Sequence, residues 1–188
     1  MGAKQSFLKD NKVFFAEFLD RRGEVGGFFD TRTKELKLTK KAKGLHLDSM
    51  PEYPERTGVI AWHTHPQSSE DKARKDGAKY PLAAIPSQLD IETSLRLSLG
   101  YKEPTINVVV SKAGIFMYKP SKSLLKLLLE HPPVKQDELI NTIVLPNVIH
   151  VQTLVSETPT NQIELYQREM KGLLTGKDGG FETDFISW

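Results

Sequence analysis

The chain has 188 residues, 38% of them hydrophobic and 27% charged, enough for one domain with an appendage and a sizeable core. Its formal net charge of +2 carries no signature of a nucleic-acid or anionic-membrane partner. With no cysteine, disulfides, Cys-based zinc fingers and cysteine-nucleophile chemistry are excluded, so any metal site must be built from His, Asp, Glu and water.

The opening MGAKQSFLKD lacks the apolar stretch of a secretory signal, and its Gly2 and Ser6 match a myristoylation pattern of a kind common by chance. Asp10 to Arg22 reads as a helix, with an N-cap at Asp10 or Asn11 and Gly23 placed to end it. The aromatic and β-branched run VFFAEFL leaves a strand open there. EVGGFF (24–29) and 35–38 are expected strands joined by the turn DTRT, and 39–56 is a polar loop punctuated by Pro51 and Pro54. A buried strand follows over 57–63, then a charged stretch, QSSEDKARKDGAK, with no core face.

Pro86-Ser87 opens a helix. Ser87 is the N-cap, Asp90 stands three residues on as in a capping box, and Ile91, Leu95 and Leu99 form an i, i+4 stripe that Gly100 ends. Two strands, 105–110 and 114–118, flank the turn SKAG. Beyond Pro120 the pattern is helical: SLLKLLLEH, whose aliphatic run is a packing face, then DELINTIVLPNVIHVQTLV broken at Pro146, then NQIELYQREMKGLL. The tail TGKDGGFETDFISW is expected to be frayed or docked on a partner. No apolar run approaches bilayer length, so the chain reads as soluble and cytoplasmic, without a membrane or nucleic-acid partner. The expected organisation is a main domain over 1–119, a helical extension packed on it over 120–175, and a tail over 176–188.

The chemistry gathers around VIAWHTHP, residues 59–66. Strand side chains alternate, so His63 and His65 project from one face while Trp62 turns to the other and fills the core. Asp90, in the first turn of the next helix, offers a carboxylate, and Glu24 offers another from a glycine-flanked strand. Two imidazoles and a carboxylate meet the needs of catalytic zinc, which takes three protein ligands and keeps a position for water. Such a water becomes nucleophilic near neutral pH when a nearby carboxylate accepts its proton, the role open to Glu24. Glu17, Glu35, Glu52 and Glu55 also lie upstream. Glu24 is preferred because Gly26 and Gly27 permit close backbone approach and Phe28 begins a buried run. An HxH pair by itself is more often structural. His46, His131 and His150 read most simply as surface or satisfied core histidines, and a purely helix-dipole role for Asp90 would leave the paired histidines unexplained.

Taken in order, EVGGFF, HTHP and PSQLD resemble the JAMM/MPN+ zinc metalloproteases, whose pattern is an upstream Glu followed by H-x-H-P and S-x-x-D. The match spans roughly residues 10–119. The resemblance implies an α/β fold, the MPN (cytidine-deaminase-like) domain, with a curved mixed β-sheet flanked by helices and here a C-terminal helical extension. It implies one Zn2+ held by His63, His65 and Asp90, with Glu24 activating water and Ser87 hydrogen-bonding the developing oxyanion. Its substrates would be conjugates of ubiquitin or a ubiquitin-like modifier. Other peptides, viral, phage or cell-wall, and a non-catalytic MPN scaffold are the alternatives.

One departure stands out: 22 positions separate His65 from Ser87, well beyond the family's spacing. Loop closure tolerates the insertion, since its entropy grows slowly with length. A rival S-x-x-D, Ser68 to Asp71, begins three residues after His65, too soon to turn from strand to helix, and no apolar stripe follows it. The insertion's second half, YPLAAI, is expected to pack on the body or over the cleft and hold its charged half at the rim as a substrate-facing flap.

Overall fold

A computed structural model describes residues 11–20, 23–41, 58–66, 84–158, 161–174 and 179–188. In chain order the elements are α1 (Lys12–Leu19), β1 (Val25–Asp30), β2 (Leu36–Lys41), β3 (Val59–Thr64), α2 (Gln88–Tyr101), β4 (Asn107–Val110) and β5 (Gly114–Pro120). Then come α3 (Lys122–Leu129), α4 (Pro133–Leu139), a π-helical turn (Ile140–Val144), α5 (Leu145–Glu157), α6 (Gln162–Lys171) and β6 (Phe181–Ser187). The architecture is α/β: six strands in the order β2-β1-β3-β4-β5-β6 form one mixed sheet flanked by helices. β3 is antiparallel to β1 and parallel to β4, which makes it an interior strand.

The chain divides into two compact units. The first comprises Met1–Ile85, Asn107–Met117 and Phe185–Trp188. Its core forms where α1 lays Phe15, Phe18 and Leu19 on the sheet. The ring of Trp62 is fully buried there, 5.7 Å from Phe14 and 5.3 Å from Phe15, both edge-on, the geometry aromatic quadrupoles favour. The helix alternative is the one found, over Lys12–Leu19, with Asp10, Arg21 and Arg22 outside the described residues; its aromatic residues serve helix-on-sheet packing rather than strand propensity. β1 is buried along its whole length, whereas the edge strand β2 alternates half-buried and exposed residues. Gly27 lies at an irregularity in the β1–β2 register, and a Cβ there would collide with the Lys37 carbonyl oxygen. Only glycine lets the strands approach so closely. The expected turn is closed by Asp30, whose carboxylate accepts from the amides of Arg32 (2.9 Å) and Thr33 (3.4 Å).

The second unit comprises Pro86–Ile106 and Tyr118–Asp184. α2 turns Ile91, Ser94, Leu95 and Ser98 inward. It runs past Gly100 to Tyr101 and ends on Lys102, which adopts the left-handed conformation and donates to the carbonyls of Leu99 and Ser98. α3 buries Leu124, Leu125 and Leu128, as its pattern predicts.

The expected break at Pro146 does not occur. α4, the π turn and α5 run as one helix of 25 residues, Pro133–Glu157. The Leu145 amide donates five residues back, to Ile140. Widening one turn gives room to the proline ring, which lacks an N–H and would clash with the carbonyl four residues earlier. By length and composition alone this helix is apolar enough to cross a bilayer, contrary to the expectation from sequence. It buries Val144, Leu145, Val148, Val151 and Val155 within the protein, while Val134, Ile143 and Ile149 on the same helix are exposed. The tail differs from expectation as well: residues 181–187 form β6, with Phe181 buried. At the other end of that strand Gly114 sits at φ 154°, where any Cβ would meet the Ile186 backbone.

Candidate metal centre

β3 carries His63 near its end with both edges paired, and His65 follows directly after its last residue. Gly26 faces His63 across β1, and Val109 and Val110 pair with His63 and Thr64 from β4. Where the ladder stops, Thr64 extends it. Its hydroxyl accepts from the Val25 amide at 3.1 Å, and the His65 amide donates to Val110 O at 2.9 Å. The segment His63-Thr64-His65 is thus held from two sides. His65 is buried and His63 half-buried.

The histidine Nε2 atoms face each other at 3.1 Å, with ring centroids 4.9 Å apart. Two neutral imidazoles so placed either share one proton or aim both lone pairs at a common cation. Tetrahedral zinc with nitrogens at about 2.0–2.1 Å would hold them roughly 3.3 Å apart, close to the spacing present.

Asp90 comes from the first turn of α2. Its Oδ2 accepts from the Ser87 amide at 2.7 Å, and its own amide donates to Ser87 Oγ at 3.2 Å, the reciprocal capping box expected from sequence. One carboxylate oxygen, Oδ2, is therefore engaged in the cap. One ligand atom from each of His63, His65 and Asp90 lies within 4.8 Å of the others, and among the described residues this is the one group of three so placed. The group could hold a metal ion, and two imidazoles with a carboxylate are compatible with zinc.

Glu24 is buried and immediately precedes β1. It lies two residues before Gly26, the residue that pairs with His63, and so at the end of β1 that adjoins the histidine strand's end. The rival acids fall elsewhere. Glu35 lies beyond the opposite end of β1, ion-paired with Lys37 at 3.1 Å, whose hydrogen bond and charge hold its carboxyl below the ordinary range. Glu17 is exposed on α1. Glu52, Glu55, His46, Ser68, Asp71, Tyr80 and Leu82 lie outside the described residues; of the proposed flap, Ala84 and Ile85 are buried. Ser87 is exposed.

Several contributors escape sequence reasoning. Thr64 could have been suspected as a hydroxyl between two candidate ligands. Gln152 Nε2 donates to Pro86 O at 2.9 Å, Tyr166 OH reaches the same oxygen at 3.4 Å, and Tyr118 OH meets Asp90 O at 3.4 Å. No local pattern announces these three. No protein-family model, curated protein or solved structure matches this chain.

Proposed function

We propose that the protein is a zinc-dependent peptidase of the JAMM/MPN+ kind that cleaves ubiquitin or a ubiquitin-like modifier from its conjugates. The observation that carries this reading is the convergence of His63, His65 and Asp90, two imidazoles and a carboxylate in the motif order, within 4.8 Å. The mixed sheet flanked by helices is compatible with an MPN domain. His63, His65 and Asp90 would hold the ion, which when bound supplies a Lewis acid and brings a water's acidity toward neutrality. Glu24, buried just before β1, would take the proton released as that water attacks and return it to the leaving amine. The Ser87 hydroxyl accepts from the Asp90 amide through a lone pair, which leaves its proton to donate to the scissile carbonyl oxygen as negative charge builds there. Buried His65 and the paired strand behind it fix the donors before substrate arrives, so little reorganisation accompanies the reaction.

The test is metal analysis of the purified protein followed by incubation with ubiquitin-linked substrates, with chelator and after zinc is restored. Zinc at about one per chain and cleavage that chelator abolishes and zinc restores are the expected results. A folded protein that takes up no zinc overturns the reading. Zinc binding without cleavage of any conjugate moves it to another peptide substrate or to a scaffold. Iron in place of zinc would shift it to oxygen chemistry, which the same ligand set also serves.

A further inference from the structure

The Pro86–Ser87 peptide unit is engaged on both sides. Its N–H, on Ser87, donates to Asp90 Oδ2 at 2.7 Å, and its C=O, on Pro86, accepts from Gln152 Nε2 at 2.9 Å and from Tyr166 OH at 3.4 Å. Because a peptide is planar, fixing the carbonyl direction fixes the direction of the N–H on the other side. Hydrogen bonds in series also polarise one another, so donors on the carbonyl strengthen the bond the N–H makes. Tyr166 is fully buried, and burial, followed by the charge of Asp90, pushes its phenol well above the ordinary tyrosine range, so it remains a donor.

We infer that Gln152 of α5 and Tyr166 of α6 are positioning residues for the metal-binding carboxylate, acting on Asp90 through the Pro86–Ser87 peptide. The inference rests on Asp90 being a metal ligand. Outer partners of ligating groups set their orientation and basicity, and their loss typically lowers metal affinity roughly 10- to 100-fold. It gives the C-terminal helices a function: residues 66 and 80 positions downstream of Pro86 set the aim of a carboxylate that local capping alone would leave free to pivot.

The experiment compares the full-length parent with Gln152→Ala, Tyr166→Phe and, as a control on the exposed side of α5, Thr153→Ala. Zinc affinity is measured by competition with a chromophoric chelator, the visible spectrum of the cobalt-substituted protein reports ligand geometry, and the thermal midpoint of the zinc-free protein reports stability. Gln152→Ala should weaken zinc by about tenfold or more and change the cobalt bands, Tyr166→Phe should do so less, and Thr153→Ala should do neither. The zinc-free midpoint of Tyr166→Phe should stay near that of the parent, since the ring still fills its place. Should Gln152→Ala prove too unstable to purify, Tyr166→Phe decides alone. A parent that binds zinc, with unchanged affinity and unchanged cobalt bands in Gln152→Ala and Tyr166→Phe, overturns the inference and leaves the metal assignment standing. A parent that binds no zinc removes both.

Discussion

The end of β3 and the start of α2 each deliver part of the group that could hold a metal ion, and they are built by different means. His63 and His65 continue an interior strand, paired to β1 and β4, with Trp62 locked into an aromatic cluster behind them. Asp90 is held by a capping box and by hydrogen bonds to the peptide before it and to its own carbonyl. The strand is secured by burial distributed over many residues; the helix start depends on a few polar contacts, each worth about 1 kcal/mol. Damage to the first should register as lost stability, and damage to the second as lost metal affinity at nearly constant stability.

Trp62→Ala should give the largest effect, about 3–5 kcal/mol of destabilisation in denaturant titration, because a fully buried indole leaves a large cavity in the α1–β3 cluster. A loss below 1 kcal/mol would show that the cluster does not anchor the histidine strand. Gly27→Ala should follow at about 1–3 kcal/mol, as β1 and β2 part to admit a methyl group against the Lys37 carbonyl. An unchanged denaturation midpoint would disprove that close approach.

Ser87→Ala, at the helix start, should lose about 1 kcal/mol with its cap. Turnover should fall on the order of 100-fold if the hydroxyl also serves the oxyanion. Stability loss without any rate loss would confine Ser87 to capping. Asp90→Asn separates two roles of one side chain, since an amide oxygen can still accept from the Ser87 N–H. Zinc-free stability should change by only about 0.3–1 kcal/mol, the value of a charge at a helix N-terminus. Zinc affinity should fall beyond the roughly 10- to 100-fold typical of an outer partner. If Asp90→Asn binds zinc like the parent and Asp71→Ala does not, the ligand is Asp71. The smallest effect on the fold belongs to Glu24→Gln, which keeps size and hydrogen-bonding capacity. Its thermal midpoint and zinc content should match the parent while most turnover disappears; full activity would eliminate Glu24 as the base.

What the amino-acid order determined by itself is what depends on near neighbours. The Ser87–Asp90 capping box, the His-x-His pair on one strand face, the inward Trp62, the turn at Asp30 and the inward leucines of α3 all follow from periods and spacings of a few residues. Each is selected by local sterics and by which face meets water, quantities the sequence spells out.

Other features were decided only in three dimensions. Residues 181–187 look polar enough to fray, yet they become a strand because β5 presents an edge that their backbone can pair with. Pro146 should break its helix, yet one widened turn absorbs it while Val144, Leu145 and Val148 stay in the core, a packing gain that no local propensity contains. Glu24 is distinguished from Glu35 by which end of β1 each occupies, a matter of strand register. Gln152 and Tyr166 meet Pro86 across 66 and 80 residues. Contacts at such separations leave no periodic trace, because the side chains that make them are chosen by where distant elements pack, and that is determined only when the whole chain has folded.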